Sequence, residues 1–510
     1  MTAHHLSCRR PVIAFALTGL LVLQPAAATA AAADTTAIRT GESVGIDRWV
    51  EERVGARDLP GVAVAVVRGG QVVHLAGYGV ADDTGRPVTP DTPFLLGSAS
   101  KPFTAAVVGQ LVEEGVLSWD EPVWPHLAHL VDRAPDGFET VTVEQLITHT
   151  AGLGMYVGVA GEVTLHDGPN ALGLRVAELL AHPLAHPPGD TFAYSNAGFT
   201  LLAAVVEQVA SDRFADQLQD RIFGQLGMSG SFATADDHRA ADLATGHRLW
   251  FGRWRPAALP YDDAGVAMGY VASTARDLAR FMEAHLESHP AIPATAAQIA
   301  AGPVEPTGWT TTLDAGYGRG WFVDEFAGTT VVSHTGSLGH FTGHLLLAPE
   351  ADSLGIAVLS NASAFVAGGP GDPGHDAQYD LGFGLLRILL GEQPQPVNPT
   401  PLMTLALPVG GWAIVALLPT CILRSAFRSR HRTGAESGTA TRRVRVRQLL
   451  PGAFAIIGGA ALLTAPLGMV RHFHPDIGWA LTSLAWLALA LGAVRFALPL
   501  LSKMGRSSGN

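Results

Sequence analysis

Ser98-Ala99-Ser100-Lys101 sets a hydroxyl and an amine three residues apart at the head of an apolar run, Lys101 to Leu117, whose periodicity reads as a buried helix. Residues three apart on a helix share a face, so the amine can reach the hydroxyl. The N–H groups of the first turn point at the same spot and favour negative charge developing there. A serine hydroxyl is a weak nucleophile until a neighbouring base takes its proton. The type of cation is as informative as the spacing. Between Asp34 and Thr400 the chain has 18 arginines and a single lysine, Lys101. Arginine keeps its proton in a protein, whereas a desolvated lysine falls to roughly pKa 7 to 8 in tuned sites. The pattern points to acyl transfer, with Ser98 as nucleophile and Lys101 as proton acceptor. Ser-x-x-Lys is short and common, so the surrounding elements have to support the reading.

Those elements are legible around it. Gly61 to Gly79 alternates apolar residues about Gly69-Gly70, the pattern of a hairpin. A long middle, Ser118 to Leu313, carries helical runs such as Ala197 to Ser211 and Thr274 to Leu286, the latter opening with Thr274 and Asp277 at capping spacing. Gly320 to Phe326, Thr330 to His334, Gly343 to Ala348 and Gly355 to Ser360 return to strand patterns, and Tyr379 to Leu390 reads as a helix. Strands at both ends with helices between predict one α+β sheet whose early and late strands pair across an inserted helical region.

Charge divides the chain. Asp34 to Thr400 has 19 Lys plus Arg against 43 Asp plus Glu, a balance of −24, whereas Pro401 to the C-terminus has 12 against 2, or +10. An acidic body is a poor partner for nucleic acid, whose phosphates need clustered cations. The cysteines, Cys8 and Cys421, both lie outside the body, and the 20 histidines form no metal-binding spacing, so neither a thiolate site, a metal nor another cofactor is expected. Residues 1–33, with Arg9-Arg10, an apolar run and a small-residue stretch, read as an export signal. Residues 393–401 form a Pro-rich spacer, and 402–510 read as a membrane anchor with spans over 402–423, 449–470 and 477–501. The loop Arg424 to Arg447, with eight arginines and one acid, is expected in the cytoplasm. That orientation puts the body, 34–392, outside the cell and the C-terminus inside, in agreement with the export signal.

FLLGSASKPFTAAVVGQLVEEGVLSWDEPV, LITHTAGLG, PPGDTFAYSNAGFTLLAAVVEQVAS, GYVASTARDLARF and VVSHTGSLGHFTGHLLLAPE resemble the serine beta-lactamase-related family. That family includes class C beta-lactamases, DD-peptidases, D-aminopeptidases and esterases, and the similarity runs in order from about Val44 to Leu390. The resemblance implies a beta-lactamase/transpeptidase-like antiparallel sheet with flanking helices and an inserted helical region, here followed by the three-helix transmembrane tail. It implies that Ser98 is acylated, that Lys101 and Tyr194 of Tyr194-Ser195-Asn196 move protons, and that Asn196 binds the substrate amide. His334-Thr335-Gly336 stands where the family has Lys-Thr-Gly, at a substrate-binding edge strand. The backbone N–H groups of Ser98 and Ser337 would form the oxyanion hole. Thr148 to Leu153 recurs in the family as a structural loop, so His149 is not assigned as a base.

Histidine in place of lysine matters because an imidazole titrates near pH 6.5 and is often neutral. It weakens the case for a substrate carboxylate and favours an ester or another amide. The expected function is an extracytoplasmic, membrane-anchored serine hydrolase acting through an acyl-enzyme on ester or amide (peptide or beta-lactam-like) substrates, small-molecule or peptide in size. The alternative is a non-catalytic membrane receptor or scaffold binding a peptidoglycan-like ligand. Oligomeric state is not legible.

Overall fold

The computed structural model describes residues 42–154, 165–300, 316–363, 373–393, 406–417, 476–490 and 493. The expected export signal, most of the Pro-rich spacer and the 449–470 span lie outside these residues. Of the other two expected spans, 406–417 and 476–490 are described, and both are helical. Among the described residues no helix is long and apolar enough to cross a membrane.

The chain enters through helix α1 (Glu42–Ala56) and the hairpin β1 (Gly61–Arg68) and β2 (Gln71–Gly79). The Gly69-Gly70 turn has φ of 57° and 73°, values a side chain would resist, and so closes the hairpin where glycines were available. Helices α2 (Lys101–Glu113), α3 (Ala171–Leu180) and α4 (Asn196–Ala210) follow. Next come a small hairpin, β3 (His247–Trp250) and β4 (Arg253–Pro256), and helix α5 (Ala275–Leu286). Thr274 caps α5, its side chain accepting from the Asp277 N–H at 3.1 Å. Strands β5 (Gly316–Gly318), β6 (Trp321–Phe326), β7 (Thr329–Ser337), β8 (Thr342–Ala348), β9 (Leu354–Ser360) and β10 (Ala362–Ser363) precede helix α6 (Pro373–Leu389).

The main sheet has the order β2-β1-β9-β8-β7-β6-β5, so the first hairpin pairs with the last long strand across the whole inserted region. Val62 lies opposite Ser360 and Val66 opposite Ile356, in antiparallel register. β1 is apolar on both faces because both are covered. Ala63, Ala65 and Val67 pack into the core shared with the inserted helices, and Val62, Val64 and Val66 pack against Trp49 of α1 and Leu385 of α6. The α+β organisation expected from the strand patterns is the one observed. β3 and β4 fell inside the long middle read as helical, and with β10 they make a separate three-stranded sheet.

Candidate active site

The serine is placed by a tight turn between a short strand and a helix. Phe94–Leu95 pairs with Ala272–Ser273, Gly97 turns the chain at φ +57°, and a 3-10 turn over Gly97–Ser100 feeds α2. Pro102 at the start of α2 suits a position whose N–H needs no helical acceptor. Strand β7 presses against this turn with no room for a side chain between them. A Cβ on Gly336 would overlap the Leu96 carbonyl oxygen and stand 2.8 Å from the Ser98 nitrogen. A Cβ on Gly97 would stand 2.5 Å from the Ser337 nitrogen. The backbone nitrogens of Ser98 and Ser337 therefore both lie where β7 meets the nucleophile turn, with Ser98 and Ser337 both part-exposed.

Lys101 is completely buried. Its Nζ donates to Asn196 Oδ1 at 2.7 Å and to the Met268 carbonyl at 2.9 Å. The Tyr194 ring centroid lies 5.0 Å from Nζ and that of Phe199 5.4 Å away. Tyr194 and Asn196 reach this point because Ser195 is extended (φ −144°, ψ 122°) at the position before α4, so the chain passes from strand-like to helical between them. The resemblance implies that Asn196 meets a substrate amide; in the structure its Oδ1 accepts from Lys101 Nζ.

The Met268 carbonyl had no sequence signal of its own, although the neighbouring GYVAST segment was legible as a motif. Its turn, Val266–Tyr270, and the residue after it are tied at three points to α2 and the residue before it. Besides the lysine contact, Thr104 Oγ1 donates to the Ala267 carbonyl at 2.8 Å, and the Val271 N–H donates to Ser100 Oγ at 3.2 Å. The segment begins at Asp262, fully buried, whose Oδ2 accepts from Arg175 Nη2 of α3 at 3.1 Å while Oδ1 accepts from the His166 and Ala264 N–H groups. Burial pushes the Asp262 carboxyl above its ordinary range, and Arg175 opposes that shift. Arg175 also lies 3.6 Å from the half-exposed Glu178, so removing Asp262 takes away its buried counter-charge and leaves only the exposed one among these two carboxylates. Asp262→Ala is expected to destabilise the protein by about 3 kcal/mol in urea denaturation. A loss within experimental error would mean that the pair does not hold this segment.

His334 and Gly336 project to the same face of β7, as their spacing of two requires. His334 is 1% exposed, and both ring nitrogens are engaged. Nδ1 lies 2.7 Å from the Thr335 carbonyl, which can only accept, so Nδ1 carries the proton. Nε2 is then the acceptor, 3.3 Å from the Tyr317 hydroxyl, a buried donor that sequence reading missed. Burial, aided by the nearby Lys101 and His344 and opposed by the Thr335 hydrogen bond, lowers the His334 pKa from 6.5 to about 3. The imidazole is neutral at ordinary pH. His149 sits behind Tyr194, ring centroids 4.3 Å apart, at φ +59°. Its Nδ1 accepts from the Ser195 N–H at 3.1 Å, so it fixes the backbone between Tyr194 and Asn196. Burial also pushes its pKa well down.

These depressed histidines make stability depend on pH with a definite sign. The unfolded chain takes up a proton at His334 near pH 6.5, while the folded chain holds out to about pH 3. Stability is therefore full above pH 6.5 and falls as pH drops between those values. His285, lowered by burial to about 4, adds in the same direction. Urea midpoints at pH 7.5 and 5 are expected to differ less in His334→Gln than in the parent. An unchanged difference would show that His334 does not titrate as its burial requires.

Residues 46–381 match the family model described as Beta-lactamase. Esterase EstB of Burkholderia gladioli is 29% identical over 388 residues, 67% of this chain and 97% of that protein. Protein flp of Staphylococcus aureus (strain MW2) is 24% identical over 331 residues, 62% of this chain, and the match spans only 63% of that protein's length. Among solved structures, the octameric penicillin-binding protein homologue from Pyrococcus abyssi is 28% identical with a TM-score of 0.57, covering 71% of this chain and 79% of that one.

Proposed function

The chain belongs to the beta-lactamase family, and on that premise we propose that it hydrolyses an uncharged ester or amide through an acyl-enzyme on Ser98. Ser98 Oγ attacks the carbonyl carbon, and its proton passes to the Lys101–Tyr194 pair. The carbonyl oxygen, now an oxyanion, takes hydrogen bonds from the Ser98 and Ser337 N–H groups. Collapse expels the alcohol or amine, which receives the proton, and water releases the acyl group by the same steps in reverse. The strand that carries His334 to Ser337 is not an edge strand, since β7 lies between β8 and β6, but its pairing with β6 ends at Ser333. Asn196 and the stretch from Thr335 to Ser337 beyond that pairing orient the substrate. The observation that carries this reading is the buried Lys101 amine, held by two acceptors on the helix that Ser98 opens.

The substrate class follows from His334. A permanent cation at that position would attract a carboxylate, whereas a buried neutral imidazole offers no net charge to one. Esterase EstB is a relative whose name agrees with ester hydrolysis. A fluorophosphonate probe is expected to label Ser98 in the full chain and not in Ser98→Ala. Turnover of p-nitrophenyl butyrate is expected to exceed that of nitrocefin and of a D-Ala-D-Ala peptide. No labelling and no esterase turnover would overturn the hydrolase reading, and faster turnover of the two carboxylate substrates would overturn the preference for uncharged ones.

The reading extends to a membrane-anchored body outside the cell. It is supported by the switch from −24 to +10 in charge balance at about residue 400 and by the arginine-rich 424–447 segment. It is also supported by the helices over 406–417 and 476–490, where Leu407, Val409, Ile414, Leu417, Trp479 and Trp486 are 49–62% exposed. Apolar side chains left this open on successive helical turns match a lipid surrounding.

A further inference from the structure

We propose that the outward face of the β3–β4 hairpin docks on anionic phospholipid headgroups. The inference rests on the reading of the tail as a membrane anchor. Phe251 and Gly252 join the strands, both at positive φ (49° and 71°), in the two-residue turn whose twist suits a hairpin. The register sets Arg248 opposite Arg255, Leu249 opposite Trp254 and Trp250 opposite Arg253. Side chains alternate along a strand, so Leu249 and Trp254 share one face. That face is turned to the body: Leu249 is 3% exposed, and Trp254 Nε1 donates to the Arg57 carbonyl at 3.1 Å. The other face carries Arg248, Trp250, Arg253 and Arg255.

Two guanidinium groups directly opposite each other on one face repel. Among the described residues no carboxylate pairs with any of these three arginines. The body has 43 acidic residues, yet none falls between Asp242 and Asp262. The acid the structure places at the hairpin, Asp476, accepts from backbone N–H groups and not from these arginines, so the cationic face is matched to an external anion. Trp250, 36% exposed among the arginines, is the side chain that settles at a membrane–water interface, where arginine meets headgroup phosphate. Position selects lipid over other anions. At the hairpin tip the Phe251 N–H donates to Asp476 Oδ2 at 2.8 Å, and Asp476 opens the helix that carries the exposed Trp479 and Trp486. The hairpin therefore lies at the mouth of a tail helix, where headgroups surround it once that helix enters the bilayer.

The full chain, with Cys8 and Cys421 replaced by serine, is to be placed in lipid nanodiscs with and without phosphatidylglycerol. A single fluorophore is attached at Trp250→Cys, at Ile414→Cys in the tail, or at the exposed controls Val72→Cys and Val116→Cys. With ten tryptophans in the chain, intrinsic emission could not resolve one site. Headgroup nitroxide lipid is expected to quench the label at 250 more than either control, and more strongly when phosphatidylglycerol is present. Arg253→Gln and Arg255→Gln are each expected to lower the docked-to-undocked ratio by about fivefold. Quenching at 250 no greater than at the controls, with the 414 label quenched by acyl-chain nitroxide, would overturn the hairpin proposal and leave the anchor intact. Equal quenching at 250 in both lipid mixtures would overturn recognition of the anionic headgroup. Quenching at 250 without any at 414 would sustain the hairpin and overturn the anchor, and quenching at neither would overturn both.

Discussion

Lys101→Arg is expected to slow acylation of Ser98 by about 100- to 10,000-fold, the span attributable to a positioned general base. Arginine fixes residue 101 in the protonated, cationic form, so a loss of this size would isolate proton acceptance as the function of residue 101. Arginine cannot supply a lone pair, and raising the pH does not change that. The rate is best read as single-turnover release of p-nitrophenol, with the pH raised stepwise from 6 to 9. The parent rate is expected to exceed that of the arginine variant throughout this range. Because the site is fully buried, the larger guanidinium will also disturb packing, and Lys101→Met serves as the shape control. Methionine leaves Asn196 Oδ1 and the Met268 carbonyl without their lysine donor, at about 1–3 kcal/mol for each buried acceptor. Both variants are expected to be equally inactive and to differ in stability. Acylation by Lys101→Arg within tenfold of the parent would remove lysine from the mechanism.

Gly336→Ala is expected to lower kcat/KM by about 100- to 1000-fold, the cost of one lost oxyanion donor. The added methyl group meets the Leu96 carbonyl oxygen and the backbone nitrogens of Ser98 and Ala99, with no flexible side chain among them. Backbone cannot swing aside, so β7 must retreat from the nucleophile turn and take the Ser337 N–H with it. Overpacking of this kind costs about 1–3 kcal/mol in stability, which denaturation will report separately. The two readouts together identify the cause. A folded variant that is slow in turnover, with its stability loss inside that range, places the effect where β7 meets the nucleophile turn. Full activity after substitution would show that this junction is not where the oxyanion sits.

Both results depend on contacts of unequal legibility. Ser98 and Lys101 stood out in the chain because their chemistry is local: three residues on a helix bring two side chains together wherever that helix lies. The hairpin at Gly69-Gly70, the cap at Thr274 and the late strands were readable for the same reason, since turn chemistry and alternation act over a few residues. Pairing of β1 with β9 could be inferred from strands at both ends of the body, and the register observed, Val62 against Ser360, agrees with it.

Carbonyls and buried partners were not readable. Every residue has a carbonyl, so nothing in the residue type at Met268 marks it as the second acceptor for Lys101. Only the turn over Val266–Tyr270, held by Thr104 and Ser100, brings it there. His334 was legible as a departure from lysine, but its tautomer and its neutrality come from Tyr317, Thr335 and complete burial, which are properties of the packed sheet. Asn196 was assigned to substrate from its motif, whereas packing turned its oxygen towards lysine. The β3–β4 hairpin is not legible in the chain because its four-residue strands are too short for alternation to register, and its cationic face exists only once Arg248 and Arg255 are set opposite each other. Residue type and short spacing determined which groups could react. The meeting of segments more than a hundred residues apart decided how those groups are held, because hydrogen-bond partners and burial depend on neighbours that the linear order does not reveal.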